Sequence, residues 1–312
     1  LSIHSFPTRR SSDLMIKTIL QYQKAFNSVI DRMKIDESVL SVMVFGSMVT
    51  GDLWEESDID FIVIVDENYD KIRNLYSQEE GISVHVKLMG KEKFIQVYSN
   101  NIKGGYLHRI FSSSRLIFSK DMDITVRYDG GRLFPDVDRE RWGMSFLGKL
   151  LKEMGVCKKY LWSDAIYTSY SSATRCIEKY SKLFVNSSGY MISKDVMTMA
   201  LNLDEEFKQC VDKLFFEKSN IKETIQETMT FLEQNIDLNI KDNCNLLLNY
   251  MRQQDRFVSA EEIMSDDLFK EFDIDMEEVL NKLWKRDIIK KESRDFKINK
   301  DNILIKQNVY FV

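Results

Sequence analysis

From residue 15 onward the hydrophobic positions change period more than once. Ile16, Ile19, Leu20 and Phe26 fall on one side of a helix that opens at Met15 and runs to about Met33. Apolar runs of strand length follow at Val39–Phe45, Asp60–Val65 and Ile82–Met89, with Arg115–Ser119 as a closing strand. Asp129-Gly130-Gly131, followed by Pro135, marks a break and puts a domain boundary near 125–135. From Asp138 to about Asn235 the spacing is helical throughout: Trp142, Phe146, Leu150 and Leu151, then Ile166, Tyr170, Ala173 and Ile177, recur every three or four residues. Ser187-Ser188-Gly189 is the clearest internal turn, and no repeat or low-complexity tract interrupts the pattern.

The last stretch changes again. It predicts a helix over Asn243–Gln253, a short helix opened by Ser259 with Glu262 completing a capping box, and a third helix near Asp275–Arg286. Four short β-like runs, Ile288–Lys291, Phe296–Ile298, Ile303–Ile305 and Val309–Val312, would supply hairpin strands. The chain is therefore of α+β class, divided as 15–125, 135–235 and 240–312. Residues 1–14 stand outside this scheme: His4–Leu14 (HSFPTRRSSDL) resembles the translation of a sequencing-library adapter, and Met15 is the expected native start.

Composition narrows the class. A chain of 312 residues, 44% hydrophobic and 30% charged, can bury a sizeable core. Its longest apolar stretch, Phe61–Val65, falls far short of the roughly 20 residues a spanning helix needs, and no signal-peptide pattern is present, so a cytoplasmic location is expected. Cys157, Cys176, Cys210 and Cys244 lie far apart in helical patterns, as reduced core thiols do. The net charge of −5 argues against a general nucleic-acid coat protein.

Chemistry concentrates around residue 46. The strand Val42–Phe45 runs into Gly46-Ser47, where glycine permits close backbone approach and the start of a helix offers unpaired N–H groups to phosphate. Ser47 adds a hydroxyl donor. Further on, Ser57-Asp58-Ile59-Asp60 leads into Phe61–Val65, and the strand period of two puts both carboxylates on one face. Two aligned carboxylates suit Mg²⁺, which takes one or two such ligands beside substrate phosphate oxygens.

An apolar strand, Gly46-Ser47, then Asp58-x-Asp60 entering a second strand resembles the signature of the DNA-polymerase-β nucleotidyltransferase superfamily. Val39–Val65 is the specific part of the likeness, and Arg115–Asp121 is similar to the family's closing strand. The resemblance implies a mixed sheet with helices over 15–125, an all-helical substrate-binding-like middle domain and triphosphate held by Gly46 and Ser47. It also implies Mg²⁺ held by Asp58 and Asp60, as in small bacterial nucleotidyltransferase-like proteins. The family's third carboxylate is missing from the expected strand, whose polar face carries Ser83, His85 and Lys87. His85 is either a general base or an ordinary polar-face residue; a base from the helical domain, Glu153 or Glu178, is the other candidate. Tyr160, Tyr167 and Tyr170, with Arg139 and Arg141, stand where the likeness puts acceptor recognition, although aromatics at helical spacing also build cores.

The terminal stretch resembles a winged helix-turn-helix in pattern and order. Lys282, Lys285, Arg286, Lys290, Lys291, Arg294, Lys297 and Lys300 would make a basic wing that holds nucleic acid, packs on the rest of the chain or forms a homodimer. Two functions follow. One is Mg²⁺-dependent transfer of NMP from an NTP, with ATP expected, to an unidentified hydroxyl. The other is a catalytically impaired regulator that binds nucleotide or nucleic acid. No membrane partner is expected.

Overall fold

The computed structural model describes residues 9–100, 105–131, 135–217, 220–299 and 302–312. The chain forms two compact units, Leu1–Leu133 and Phe134–Val312.

In the first unit, helix α1 (Arg9–Ile35) precedes strand β1 (Val39–Phe45), the single-turn helix α2 (Ser47–Thr50) and strand β2 (Ile59–Val65). Strands β3 (Arg73–Glu79) and β4 (Ile82–Gly90), helices α3 (Lys91–Asn100) and α4 (Tyr106–Ser113), strand β5 (Arg115–Ser119) and helix α5 (Met122–Gly130) complete it. The strands form one mixed sheet in the order β3-β4-β2-β1-β5. Only β2 and β4 run parallel; the other neighbours are antiparallel.

The period of two along β1 and β2 feeds both faces of this sheet. On one face Val42, Val44, Phe61, Val63 and Val84 bury against Tyr22, Ala25, Val29 and Ile30 of α1. On the other, Met43, Phe45, Ile62, Ile64 and Met89 bury against Phe94, Phe111, Ile124 and Tyr128 of α3, α4 and α5. A sheet covered on both sides needs nearly continuous apolar central strands, and β1 and β2, interrupted only by Ser41 and Asp60, have them. Asp60, in register with Phe45 and His85, falls on the second face where its apolar cover ends.

The second unit holds helices α6 (Asp136–Trp162), α7 (Ile166–Ser187), α8 (Val196–Leu203), α9 (Glu205–Phe216), α10 (Ile221–Asn243), α11 (Asn245–Gln254), α12 (Ala260–Ser265) and α13 (Met276–Lys285), then strands β6 (Lys290–Asn299) and β7 (Asn302–Phe311). Met144, Leu147, Leu150, Ala173, Cys176, Ile177 and Leu232 are buried where α6, α7 and α10 pack. Burial pushes the Cys244 thiol up to about 12, in keeping with an inert core thiol. Ser145 Oγ donates to Asp273 O at 2.6 Å, and Lys152 pairs with Asp275 at 2.7 Å, tying α6 to the start of α13.

Several expectations change. Arg73–Glu79, which shows no hydrophobic alternation, is strand β3. Met122–Gly130 is helix, so Asp129-Gly130-Gly131 ends a helix; Asp121 caps it, accepting from Ile124 N–H at 3.1 Å. The four terminal β-like runs are two strands of 10 residues each, and Ile288 precedes the first. Helix α1 begins at Arg9, ahead of Met15, and α10 continues past Asn235 to Asn243. Among the described residues no helix is long and apolar enough to cross a membrane.

The predicted capping box is present: Glu262 N–H donates to Ser259 Oγ at 3.2 Å, and Ser259 N–H donates to the Glu262 carboxylate at 2.8 Å. Burial alone would raise the Glu262 pKa, but that amide and the guanidiniums of Arg294 and Arg256 outweigh it and hold the carboxyl down to about 2. Because the folded pKa lies below that of an unfolded glutamate, the stabilisation is present above about pH 4.5 and is lost as pH falls toward 2. The pair is partly exposed and therefore screened. Glu262→Gln is expected to cost on the order of 1 kcal/mol near neutrality, with the difference from the parent protein closing as a denaturation series approaches the folded pKa.

Candidate active site

The end of β1 sets the geometry. Gly46 takes φ +73° and ψ −153°, a combination open in practice to glycine alone. A Cβ built there would lie 2.5 Å from Asp60 Oδ2, so glycine also makes room for the carboxylate. Ser47 opens α2, whose closing bonds run from Val49 and Thr50 N–H to Gly46 O and from Gly51 N–H to Ser47 O. In so short a helix the N–H groups of Ser47 and Met48 have no intrahelical acceptor and remain available to an anion.

Across the sheet from β1, Asp60 is the second residue of β2, and Asp58 stands just ahead of the strand, exposed. His85 of β4 is in register with Asp60, and its Nδ1–H donates to Asp60 Oδ1 at 2.9 Å. Both side chains are largely covered, with 14% and 19% of their surface exposed. Since His85 occupies Oδ1, Oδ2 is the oxygen that faces Gly46.

Strand β3 contributes what the sequence pattern does not announce. Asn74 Oδ1 lies 3.1 Å from His85 Nε2 and accepts from Lys87 Nζ at 3.1 Å. The Tyr76 ring stacks on the His85 ring with centroids 4.7 Å apart. Both imidazole nitrogens therefore have a partner within the sheet, Asp60 on one side and Asn74 on the other. Asn74 and Tyr76 belong to an edge strand exposed along most of its length, and a polar tyrosine-bearing run bounded by Asp70 and Gly81 was the one sequence signal for it.

The other candidate bases are engaged elsewhere. Glu153 accepts from Arg175 Nε at 3.0 Å and lies 3.6 Å from Lys179; burial would raise its pKa, but these cations outweigh it and hold it low. Glu178 is held low chiefly by its hydrogen bond from Lys182 at 2.6 Å. Tyr167 is exposed, and the Tyr170 hydroxyl donates to Leu214 O at 3.2 Å.

The donor set can be tested for a divalent cation. Asp58 and Asp60 Oδ2 are hard carboxylate oxygens, and the space beside Oδ2 is kept open by the missing Cβ of Gly46. No cluster of three or more metal-ligating side chains occurs among the described residues. Two carboxylates without a full protein cage fit an ion that completes its shell with water and substrate phosphate, as Mg²⁺ does.

Comparison with known proteins bears on the fold and on the first unit. A nucleotidyltransferase-like protein from Exiguobacterium sibiricum 255-15 shares the fold with a TM-score of 0.64 at 14% identity, over 93% of this chain and 99% of its own. A spectinomycin adenyltransferase from Enterococcus faecialis, solved with ATP and spectinomycin, covers 69% of this chain and 99% of its own at 15% identity, but its TM-score of 0.29 is too low to bear on the fold. No curated protein matches the sequence. Residues 27–123 match the family model described as polymerase beta, nucleotidyltransferase, and so the first unit of this chain carries a nucleotidyltransferase domain of the polymerase β family.

Proposed function

We propose that the protein is a divalent-metal-dependent nucleotidyltransferase that moves NMP from an NTP to a hydroxyl acceptor and releases pyrophosphate. The observation that carries this reading is the fit of Gly46 against Asp60, with Asp58 exposed in the loop just before it. A structural domain has no need to hold a largely covered carboxylate against a glycine in a strained conformation.

Asp58 and Asp60 would hold Mg²⁺, which supplies Lewis acidity at the phosphate under attack. Ser47 Oγ and the N–H groups of Ser47 and Met48 would bind the triphosphate and stabilise the departing pyrophosphate. His85 stands where the sheet offers a third acid, and its hydrogen bond fixes the Asp60 carboxylate; we read it as a residue that orients Asp60. With His85 in that role, the acceptor's proton would pass to solvent.

The terminal stretch supports a winged-helix-like reading through its order, α11, α12 and α13 followed by the β6–β7 hairpin. Its basic residues are less available than their number implies. Lys282 and Arg286 both pair with Asp237 of α10, Arg294 with Glu262, and Lys291 donates to Asn281 and lies over the Trp284 and Tyr310 rings. Lys285, Lys290 and Lys297 are left, while Lys300 lies outside the described residues. This favours a packing role for the module over a general nucleic-acid surface.

The test is incubation with Mg²⁺ and each NTP, labelled at either the α- or the γ-phosphate. Metal-dependent release of γ-labelled pyrophosphate, with α-label passing to an added acceptor or to the protein itself, is the expected result. Release of inorganic phosphate alone would contradict transfer.

A further inference from the structure

The loop that presents Asp58 is held from outside itself. Tyr22 of α1 is 1% exposed and packs in the same cluster as Phe61 and Val63 of β2. Its single O–H is shared between two carbonyls across the fold, Trp54 O at 3.1 Å and Ser57 O at 2.5 Å. Those carbonyls belong to one tight turn, closed by Ser57 N–H on Trp54 O and by Trp54 N–H on Ser57 Oγ, both at 3.0 Å. Leu53 packs on the cluster that contains Tyr22, so the loop is fixed at one apolar and one polar point. The Ser57 carbonyl is part of the peptide bond to Asp58.

From this geometry we propose that Tyr22 is a positioning residue for metal binding, its buried phenol setting the Ser57–Asp58 peptide and so aiming the Asp58 carboxylate. The inference rests on the nucleotidyltransferase reading. The exposed Asp58 side chain has no hydrogen bond or ion pair among the described residues, so its direction is decided by the backbone that carries it. A phenylalanine would fill the same space but leave two carbonyls without their shared donor. Burial, and after it the Asp58 charge, raises the Tyr22 pKa, so the hydroxyl remains a donor throughout the neutral range.

The test compares Tyr22→Phe with Val29→Ala, a cavity variant in the same α1 cluster whose apolar side chain makes no hydrogen bond to the loop. Two quantities are read: the affinity for Mn²⁺ with ATP, and amide hydrogen exchange in peptides covering 52–58 of the metal-free protein. Tyr22→Phe is expected to weaken Mn²⁺·ATP binding about fivefold to tenfold, as loss of one buried hydrogen bond allows, and to speed exchange in that loop alone. Val29→Ala is expected to lower the melting temperature while leaving both readouts unchanged. Equal binding and exchange in Tyr22→Phe and the parent would overturn the inference, as would an equal loss of affinity in Val29→Ala. If the parent protein itself binds no Mn²⁺·ATP, the enzymatic reading fails and the metal role of Tyr22 fails with it. Parent binding with an unaffected Tyr22→Phe removes the inference alone.

Discussion

Gly90→Ala is expected to destabilise the first unit by about 3 kcal/mol or more, the cost of forcing atoms into a packed site whose neighbours are main chain. Gly90 ends β4 under the segment that follows β2, and a Cβ there would lie 2.0 Å from Glu67 O and 3.2 Å from Tyr69 N. A flexible side chain could move aside, but a carbonyl of the crossing segment cannot do so without displacing its neighbours. The segment leads from β2 toward β3, so its displacement would disturb the strand that carries Asn74 and Tyr76. With total stabilities of roughly 5–15 kcal/mol for folded proteins, this loss is large. Denaturant unfolding followed by circular dichroism measures it, and a midpoint unchanged from the parent protein would contradict the packing described at Gly90.

Asp60→Asn is expected to act on function and to spare the fold. Asparagine keeps the shape of the side chain, and its Oδ1 can still accept from His85 Nδ1–H. What disappears is the negative charge beside Gly46. A divalent cation held by two carboxylates would lose half of the protein charge that binds it, and Mg²⁺-dependent transfer should fall about a hundredfold or more. Melting within a few degrees of the parent, together with that loss, is the expected pair of results. Retained metal-dependent transfer would remove Asp60 from the metal site.

The legibility of the chain followed burial. Strands β1, β2 and β4 are apolar on one or both faces, and their runs stand out in the sequence close to their observed limits. Strand β3 is an edge with both faces largely open, and RNLYSQE offers no period to detect. Asn74 and Tyr76, which complete the surroundings of His85, were hidden for that reason. Helix α5 was masked by the glycines at its end, although Asp121 ahead of it was a usable N-cap signal. The long terminal strands read as short ones because the exposed run Glu292–Asp295 breaks the apolar pattern. Gly46, Ser47, Asp58 and Asp60 could be read because their chemistry lies close along the chain, whereas the Tyr22 contact joins residues 32 and 35 positions apart. Nothing in a local pattern distinguishes a tyrosine that donates across the fold from one that only fills the core.

The central claim is that Asp58 and Asp60 form a metal-dependent nucleotide site, and calorimetric titration of ATP tests it most directly, with and without Mg²⁺, into the parent protein and an Asp58→Ala, Asp60→Ala double variant. Saturable binding that needs Mg²⁺ and disappears in a folded double variant is the predicted result. Binding that survives in the double variant, or no binding to the folded parent protein, would contradict it.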